Sequence, residues 1–394
     1  MGDVAAEMTR RGHKVIVITA DRGYSDSRVR YASREVTADG VLVRRLSWTS
    51  FGKSSMLLRV AAALSFMVQS FIVVLSTRKL AGILVSTSPP FIGLIAVVGG
   101  AFRRIPIAYW AMDLNPDQIV ALGKIAPNGL LARFLERCNR IVLRSASLVI
   151  ALDDVMARRI AVRGAHRREI LVIPPWSPDG ALTAVPRAVN PFRTQHVPDG
   201  AKVIMYSGNH TPSNPLRTLL DAAVKMRNVD SLKFIFIGSG VAKQEVTEYV
   251  NRYALKNVIS LPYQPKSQLH ESLSAGDVHV VSLGDRMAGI IHPCKVYGAM
   301  AVGRPILYFG PAPSHVTEIV DLYSNGWSVR HGDVEGTVTI LRSIVDNSFG
   351  DLDRLGERGT AALRESMNPT RLCSAVCDAL EDRLELGTEL PCAS

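Results

Sequence analysis

Apolar positions along this chain fall into short blocks separated by polar turns, and the blocks alternate between two periods. Compact runs at Lys14–Thr19, Val41–Leu46, Gly82–Ser86, Ile105–Trp110, Leu148–Ala151 and Ile170–Ile173 have the length and β-branched content of strands. Between them, spacings of three and four predict helices over Val4–Arg11, Ser54–Ser76, Phe91–Phe102, Leu130–Ser145 and Asp154–Arg163. A second series predicts strands at Lys202–Tyr206, Leu232–Ile237, Val258–Leu261 and Val278–Leu283, and helices at Leu216–Met226, Ala242–Tyr253 and Ser267–Ala275. Strands that read as continuous apolar runs are covered on both faces, so the expected fold class is α/β with parallel sheets.

The two series are separated by Pro174–Gly200, which holds Pro174, Pro175, Pro178, Pro186, Pro191 and Pro198 and no apolar period. A chain of 394 residues also exceeds what one hydrophobic core usually covers. The expectation is therefore two Rossmann-like domains, residues 1–180 and 201–370, joined by a linker at 181–200, with a C-terminal helix and tail at 371–394. The chain opens Met1-Gly2-Asp3 straight into a helix. Either its true start lies upstream or the first sheet lacks a central strand, which leaves a costly unpaired edge.

Charge separates the halves. Residues 1–180 hold 25 Lys and Arg against 13 Asp and Glu, whereas the whole chain carries a net +11, so everything after the first half is close to neutral. A basic half suits an anionic membrane surface or a phosphorylated lipid. Aromatics total 6% and interleave with no arginine run, which argues against nucleic acid. Val60–Thr77 is 18 residues without a charge, flanked by Lys53, Arg59, Arg78 and Lys79. Ser65, Gln69 and Ser70 within it favour a helix packed in the core or lying in the membrane interface over one that spans the bilayer. Five cysteines without paired spacing argue against a disulfide framework or zinc site and for a reducing compartment, and no signal peptide is read at the start.

The richest chemistry lies in residues 285–305. A strand end at Leu283 feeds a loop and then a helix, with Pro293 placed in the first turn and Gly303 and Pro305 as the stop. The amides of Gly289, Ile290, Ile291 and His292 are expected to be free at the positive helix end, with Lys295 one turn inside, which makes an anion site.

Taken in order, the motifs resemble glycosyltransferase family 4 of the GT-B fold, bacterial enzymes that build cell-surface polysaccharides. In the first half the resemblance rests on Arg10–Thr19, Ser86-Thr-Ser-Pro-Pro90, Asp113-Leu-Asn-Pro-Asp117 leading to Ala121-Leu-Gly123, Leu148–Asp153 and Leu171–Trp176. In the second it rests on Tyr206-Ser-Gly-Asn-His210, Leu219–Ala223, Phe236-Ile-Gly-Ser-Gly240 and Pro293–Tyr297 running to Ala301–Pro305.

The resemblance implies two Rossmann-like domains facing across a cleft and sugar transfer from a nucleotide diphosphate, UDP being the expected nucleotide, with retention and without metal or cofactor. It further implies a lipid-linked or glycan acceptor in exopolysaccharide or O-antigen-type synthesis, at the cytoplasmic face of the membrane. Departure of the diphosphate needs N–H groups and positive charge where negative charge grows. Lys295, the 289–292 amides and the turn Gly208-Asn209 are the groups expected to supply it. Gly238 and Gly240 are expected near the nucleotide, and Tyr263 and Gln264 at the edge of its base.

Two glutamates usual in the family fall at Ile290 and Gly298, and a usual histidine at Met112. Asp285 or Tyr297 is the candidate substitute for the former. Asp113 remains as the polar group expected toward the acceptor, and His292 as the available imidazole. These departures keep open a nucleotide-sugar epimerase or hydrolase, or a non-catalytic scaffold of the same fold.

Overall fold

The computed structural model describes residues 1–22, 29–49, 56–164, 170–176 and 182–386. The chain forms two units, Met1–Pro174 with Thr370–Ser394, and Pro175–Pro369. In the first unit the elements run α1 (Gly2–Arg10), β1 (Ile16–Ala20), β2 (Arg34–Val36), β3 (Leu42–Leu46), α2 (Met56–Ser76), β4 (Ile83–Ser86), α3 (Ile92–Arg103), β5 (Ile107–Trp110), α4 (Asp117–Ala121), α5 (Leu130–Ser145), β6 (Leu148–Ala151), α6 (Asp154–Val162) and β7 (Ile170–Val172).

Strands β4, β5, β6 and β7 form one parallel sheet in that order, and β1-β3-β2 form another in which only β2 is antiparallel. Among the described residues, the outer edges of β1 and β4 have no partner strand. Both border a cavity of about 1710 Å³ also lined by α1, α2 and α3. Helices α2, α3 and α5 pack side by side over this unit's strands. Helix α2 buries Ser70, Val73 and Val74 and leaves its opposite stripe exposed. No described helix is long and apolar enough to cross a membrane.

The second unit runs α7 (Pro191–His196), β8 (Lys202–Ser207), α8 (Arg217–Lys225), β9 (Leu232–Ile237), α9 (Lys243–Tyr253), β10 (Val258–Leu261), α10 (Leu269–Ser274), β11 (Val278–Ser282), α11 (Lys295–Ala301), β12 (Ile306–Phe309), α12 (His315–Tyr323), β13 (Gly326–Val329), α13 (Val334–Asp346) and α14 (Phe349–Glu365). Its six strands are all parallel in the order β10-β9-β8-β11-β12-β13. That is the doubly wound Rossmann order, with the chain reversing direction across the sheet between β8 and β11. Tyr206, Phe234, Phe236 and Phe309 anchor a core closed by α8 and α13.

The proline-rich stretch is not a free linker over 181–200. Its described part is built into the second unit, and the boundary falls at Pro174–Pro175. The physical reason is a buried charge network. Asp277 is fully buried and accepts from Arg187 Nε at 2.5 Å, Arg193 Nη1 at 3.0 Å and the Val203 amide at 2.8 Å. Arg187 also holds Asp353 in a two-pronged pair at 2.7 and 2.8 Å. Asn190 caps α7 through the Arg193 amide. Beyond Pro369 the chain leaves the second unit, and α15 (Pro369–Arg383) packs into the first.

Candidate active site

Ligands of doubly wound sheets sit beyond the C-terminal strand ends where the strand order reverses. In the second unit that place is bounded by the turns after β8 and β11, with those after β9 and β10 beside them. The β8 and β9 turns meet backbone to backbone. Gly208, Gly238 and Gly240 have φ of +138°, +128° and +132°, a region that side chains rarely adopt. A Cβ on Gly238 would lie 2.0 Å from the Gly208 carbonyl oxygen. One on Gly240 would lie 2.2 Å from the His210 carbonyl oxygen and 2.6 Å from Asn209 Oδ1. One on Gly208 would lie 2.5 Å from Lys295 Cε. Tyr263, at the end of β10, reaches the same spot, its Cε1 3.3 Å from the Gly238 position. Gly208, Asn209, Gly238, Gly240, Tyr263 and Lys295 are thereby brought together.

The electrostatics of this cradle centre on Lys295. Its ammonium lies 5.2 Å from the Tyr206 ring centroid, and among the described residues it makes no ion pair. Burial lowers its pKa, while neighbouring Cys294 pulls the other way. A desolvated cation resting on an aromatic face is favourable but far short of full compensation. The site has an unmet demand for an anion.

Three residues support the cradle. Tyr206 Oη donates to the Asn209 carbonyl at 2.8 Å, fixing the β8 turn. Lys243 Nζ donates to the carbonyls of Gly238, at 2.6 Å, and Leu261, tying the ends of β9 and β10 together. His210 is fully buried, with Nδ1 3.1 Å from the Gly208 carbonyl. Burial first, and the charge of Lys243 second, push its pKa down to about 4, so it is neutral at physiological pH. None of the three is among the site residues the sequence leads one to expect. Their roles depend on strands adjacent in space and remote in sequence, and a tyrosine or histidine beside a strand end carries no local signal for that.

The loop before α11 differs from expectation. Lys295 is the first residue of the helix rather than one turn inside it, and Pro293 precedes the cap residue Cys294. The amides of Ile290 and Ile291 are not free. Both donate to the Met287 carbonyl, at 2.9 and 3.2 Å, because the 284–291 segment closes into a turn that satisfies its own backbone. Gly289 lies in that turn at φ +68°. Gly303, at φ +63°, ends the helix as expected. Behind the loop, His292 Nε2 and His315 Nε2 each lie 2.8 Å from Tyr297 Oη, and His292 and Tyr297 are buried. The histidine and the phenol thus hold each other. Asp285 is exposed, and Gln264 turns its amide back onto the Pro262 carbonyl.

Asp113 belongs to the first unit, just beyond β5. Its amide donates to Thr87 Oγ1 at 3.4 Å, and burial raises the pKa of its carboxyl. Among the described residues, no group of three His, Cys, Asp or Glu side chains could hold a metal ion.

A glycine-lined cradle beside an ammonium, set where strand order reverses, is an arrangement that can accept a phosphate-bearing ligand on an α/β fold. The chain matches the Glycosyl transferase 4-like domain over residues 1–176 and the Glycosyl transferases group 1 domain over residues 201–347. It belongs to glycosyltransferase family 4, of the GT-B fold, and is a transferase. It is 26% identical over 339 residues to WcaI of Escherichia coli (strain K12), assigned as a glycosyl transferase of colanic acid biosynthesis, with 82% of this chain and 81% of that protein aligned. To the glycosyltransferase WbjE of Pseudomonas aeruginosa it is 24% identical, with 64% and 62% aligned. Among solved structures it superposes on sucrose-phosphate synthase from Thermosynechococcus elongatus with a TM-score of 0.74 at 15% identity, covering 96% of this chain and 91% of that one. Anabaena Alr3699/HepE, crystallised with UDP and glucose, gives 0.72 at 15% identity, covering 96% and 94%. These structural likenesses speak for the fold.

Proposed function

We propose that this chain transfers a sugar from a UDP-sugar, with retention and without a metal, to a lipid-linked or glycan acceptor in bacterial cell-surface polysaccharide synthesis, working peripherally at the inner face of the cytoplasmic membrane. The observation that carries the reading is the half-buried ammonium of Lys295 beside the glycine turn at 208, where a diphosphate would meet both a cation and bare backbone. As the bond from the anomeric carbon to the diphosphate breaks, negative charge builds on the leaving oxygens, and a cation already desolvated needs no reorganisation to stabilise it. The UDP bound by HepE and the colanic acid assignment of WcaI support the choice of donor and pathway class. The basic first unit is assigned the acceptor, with Asp113 as the carboxyl that orients its hydroxyl.

The test is calorimetry with UDP-, GDP- and ADP-sugars, followed by product analysis with and without a polyprenyl-pyrophosphate sugar. Heat with a UDP-sugar and turnover only with acceptor is expected. Turnover without acceptor would make the chain an epimerase or hydrolase, and no heat with any donor would leave a scaffold.

A further inference from the structure

Among the described residues, half of the exposed large apolar side chains lie on three neighbouring helices of the first unit. Of 26 such residues, 13 belong to α2, α3 and α5. On α2 they recur every three or four residues, at Leu57, Val60, Leu64, Val68, Ile72 and Leu75, a single stripe along the helix. Helix α3 packs between α2 and α5, its Phe71–Phe102 edge contact closing the seam, and Phe102 itself is 72% exposed. Solvated single apolar residues are ordinary, but a continuous apolar strip shared by three helices marks a docking face.

Helix α5 supplies the charge. Its buried face carries Leu135, Cys138, Val142 and Leu143. Opposite lie two adjoining rows. Leu130, Phe134 and Ile141 form an exposed apolar row, and Arg133, Arg137, Arg140 and Arg144 form an exposed cationic one. Of these arginines only Arg140 has an ion-pair partner among the described residues, Glu136 at 3.4 Å. The three helices together hold six arginines and a single acid, Glu136. Arg78 and Lys79 stand exposed at the end of α2.

We infer that the α2–α3–α5 face is the surface on which this protein sits on an anionic bilayer, with the apolar rows entering the acyl boundary and the arginine row of α5 lying at the lipid phosphates. Charge complementarity selects this occupant. Pairing a second copy through the same face would bring these arginine rows toward one another, whereas an anionic lipid surface neutralises them. Apolar rows joined to a cationic row are how interfacial helices bind anionic membranes. The inference rests on the reading of the chain as a transferase with a lipid-carried acceptor, and adds to it which face meets the lipid.

The experiment is flotation of the full chain with vesicles of phosphatidylglycerol and phosphatidylethanolamine, beside phosphatidylcholine vesicles, at low and high salt. Two variants accompany it, Phe134→Ser with Ile141→Ser, and Arg133, Arg137, Arg140 and Arg144 all changed to Gln. The wild type should float with the anionic vesicles and be released by salt. The Gln variant should partition about 600-fold more weakly, since each of the four cations near an anionic surface contributes about fivefold. The Ser variant should lose binding even at low salt. All these positions are exposed, and an unchanged melting transition of the first unit in scanning calorimetry certifies the folded variants. Undiminished flotation of both variants would overturn the inference, as would a wild-type dimer that the Ser variant abolishes in the absence of vesicles. Loss of UDP binding with intact flotation would instead sink the transferase reading and leave this one standing.

Discussion

Lys295 combines two properties that stability alone would not select together: it is half-buried and desolvated, and among the described residues no carboxylate pairs with it. Removing a half-buried, unpaired charge relieves a desolvation cost, so Lys295→Met should leave the melting temperature unchanged or raise it slightly. The same change should lower kcat at least ~100-fold and weaken UDP binding, because a preorganised charge at the leaving group is worth roughly 3–4 kcal/mol. A melting curve run beside steady-state kinetics checks both halves, and a variant that loses activity by unfolding would refute the role. The buried histidines act in the opposite sense. His210 and His279 have pKa values pushed down to about 4, in each case by burial first. His279 Nε2 lies 2.9 Å from the Leu273 carbonyl, a bond that the neutral ring satisfies. An unfolded histidine takes up its proton near pH 6.5, so between there and pH 4 the unfolded chain binds more protons than the folded one. Stability should be complete above about pH 6.5 and fall as the pH drops toward 4. Thermal melts across that range should show the slope, and a His210→Gln, His279→Gln double variant should flatten it.

At the scale of elements, the glycine turns after β8 and β9 make two different demands. A Cβ on Gly238 meets the Gly208 carbonyl, part of the backbone, whereas a Cβ on Gly208 meets the side chain of Lys295, which can swing aside. Gly238→Ala should therefore destabilise the second unit by several degrees of melting temperature, since both φ and packing forbid it. Gly208→Ala should cost less stability and more UDP affinity, by displacing the ammonium. Equal effects of the two on stability and binding would show that the cradle is simply packing. Both glycines were legible beforehand, because a glycine just past an apolar strand is a local signal. The strands Leu232–Ile237, Leu148–Ala151 and Val258–Leu261 and the helix Leu130–Ser145 read correctly to the residue, each being a single uninterrupted period. Strand β2, all of whose residues are exposed, has no apolar pattern to read. The amides of Ile290 and Ile291 were misread because a turn that closes on Met287 leaves no mark in composition. Tyr206 and Lys243 were missed because their partners are set by the sheet order.

For the molecule as a whole, the decisive feature is that the chain crosses between its units twice, at Pro174–Pro175 and again at Pro369–Thr370. The returning helix α15 is part of the first unit's core. Cys373, Val376, Cys377 and Leu380 are buried on it, and Leu384 just beyond packs against Gly82 at the head of β4. Arg11, at the end of α1, reaches Asp378 at 2.6 Å, Glu381 at 2.8 Å and Ser374 Oγ at 2.7 Å, and His13 Nε2 lies 2.9 Å from Glu381. These pairs are half-buried apart from the exposed Asp378, and singly they contribute modestly beside the apolar packing. The apolar side chains contribute roughly 1.5–3 kcal/mol each, which summed over the helix approaches the whole stability of a domain. Leu380 and Leu384 of this segment also line the cavity bordered by β1 and β4, so α15 closes one side of this unit's core. Ending the chain at Pro369 should therefore abolish the melting transition of the first unit and leave that of the second, together with UDP binding, in place. Differential scanning calorimetry of the shortened chain, with and without UDP, separates the two transitions, because ligand raises only the one that contains its site. A first-unit transition that survives loss of α15 would show that the helix is an appendage. Its disappearance, with a UDP-shifted transition remaining, would show that the unit at the start of the chain is completed by the segment at its end.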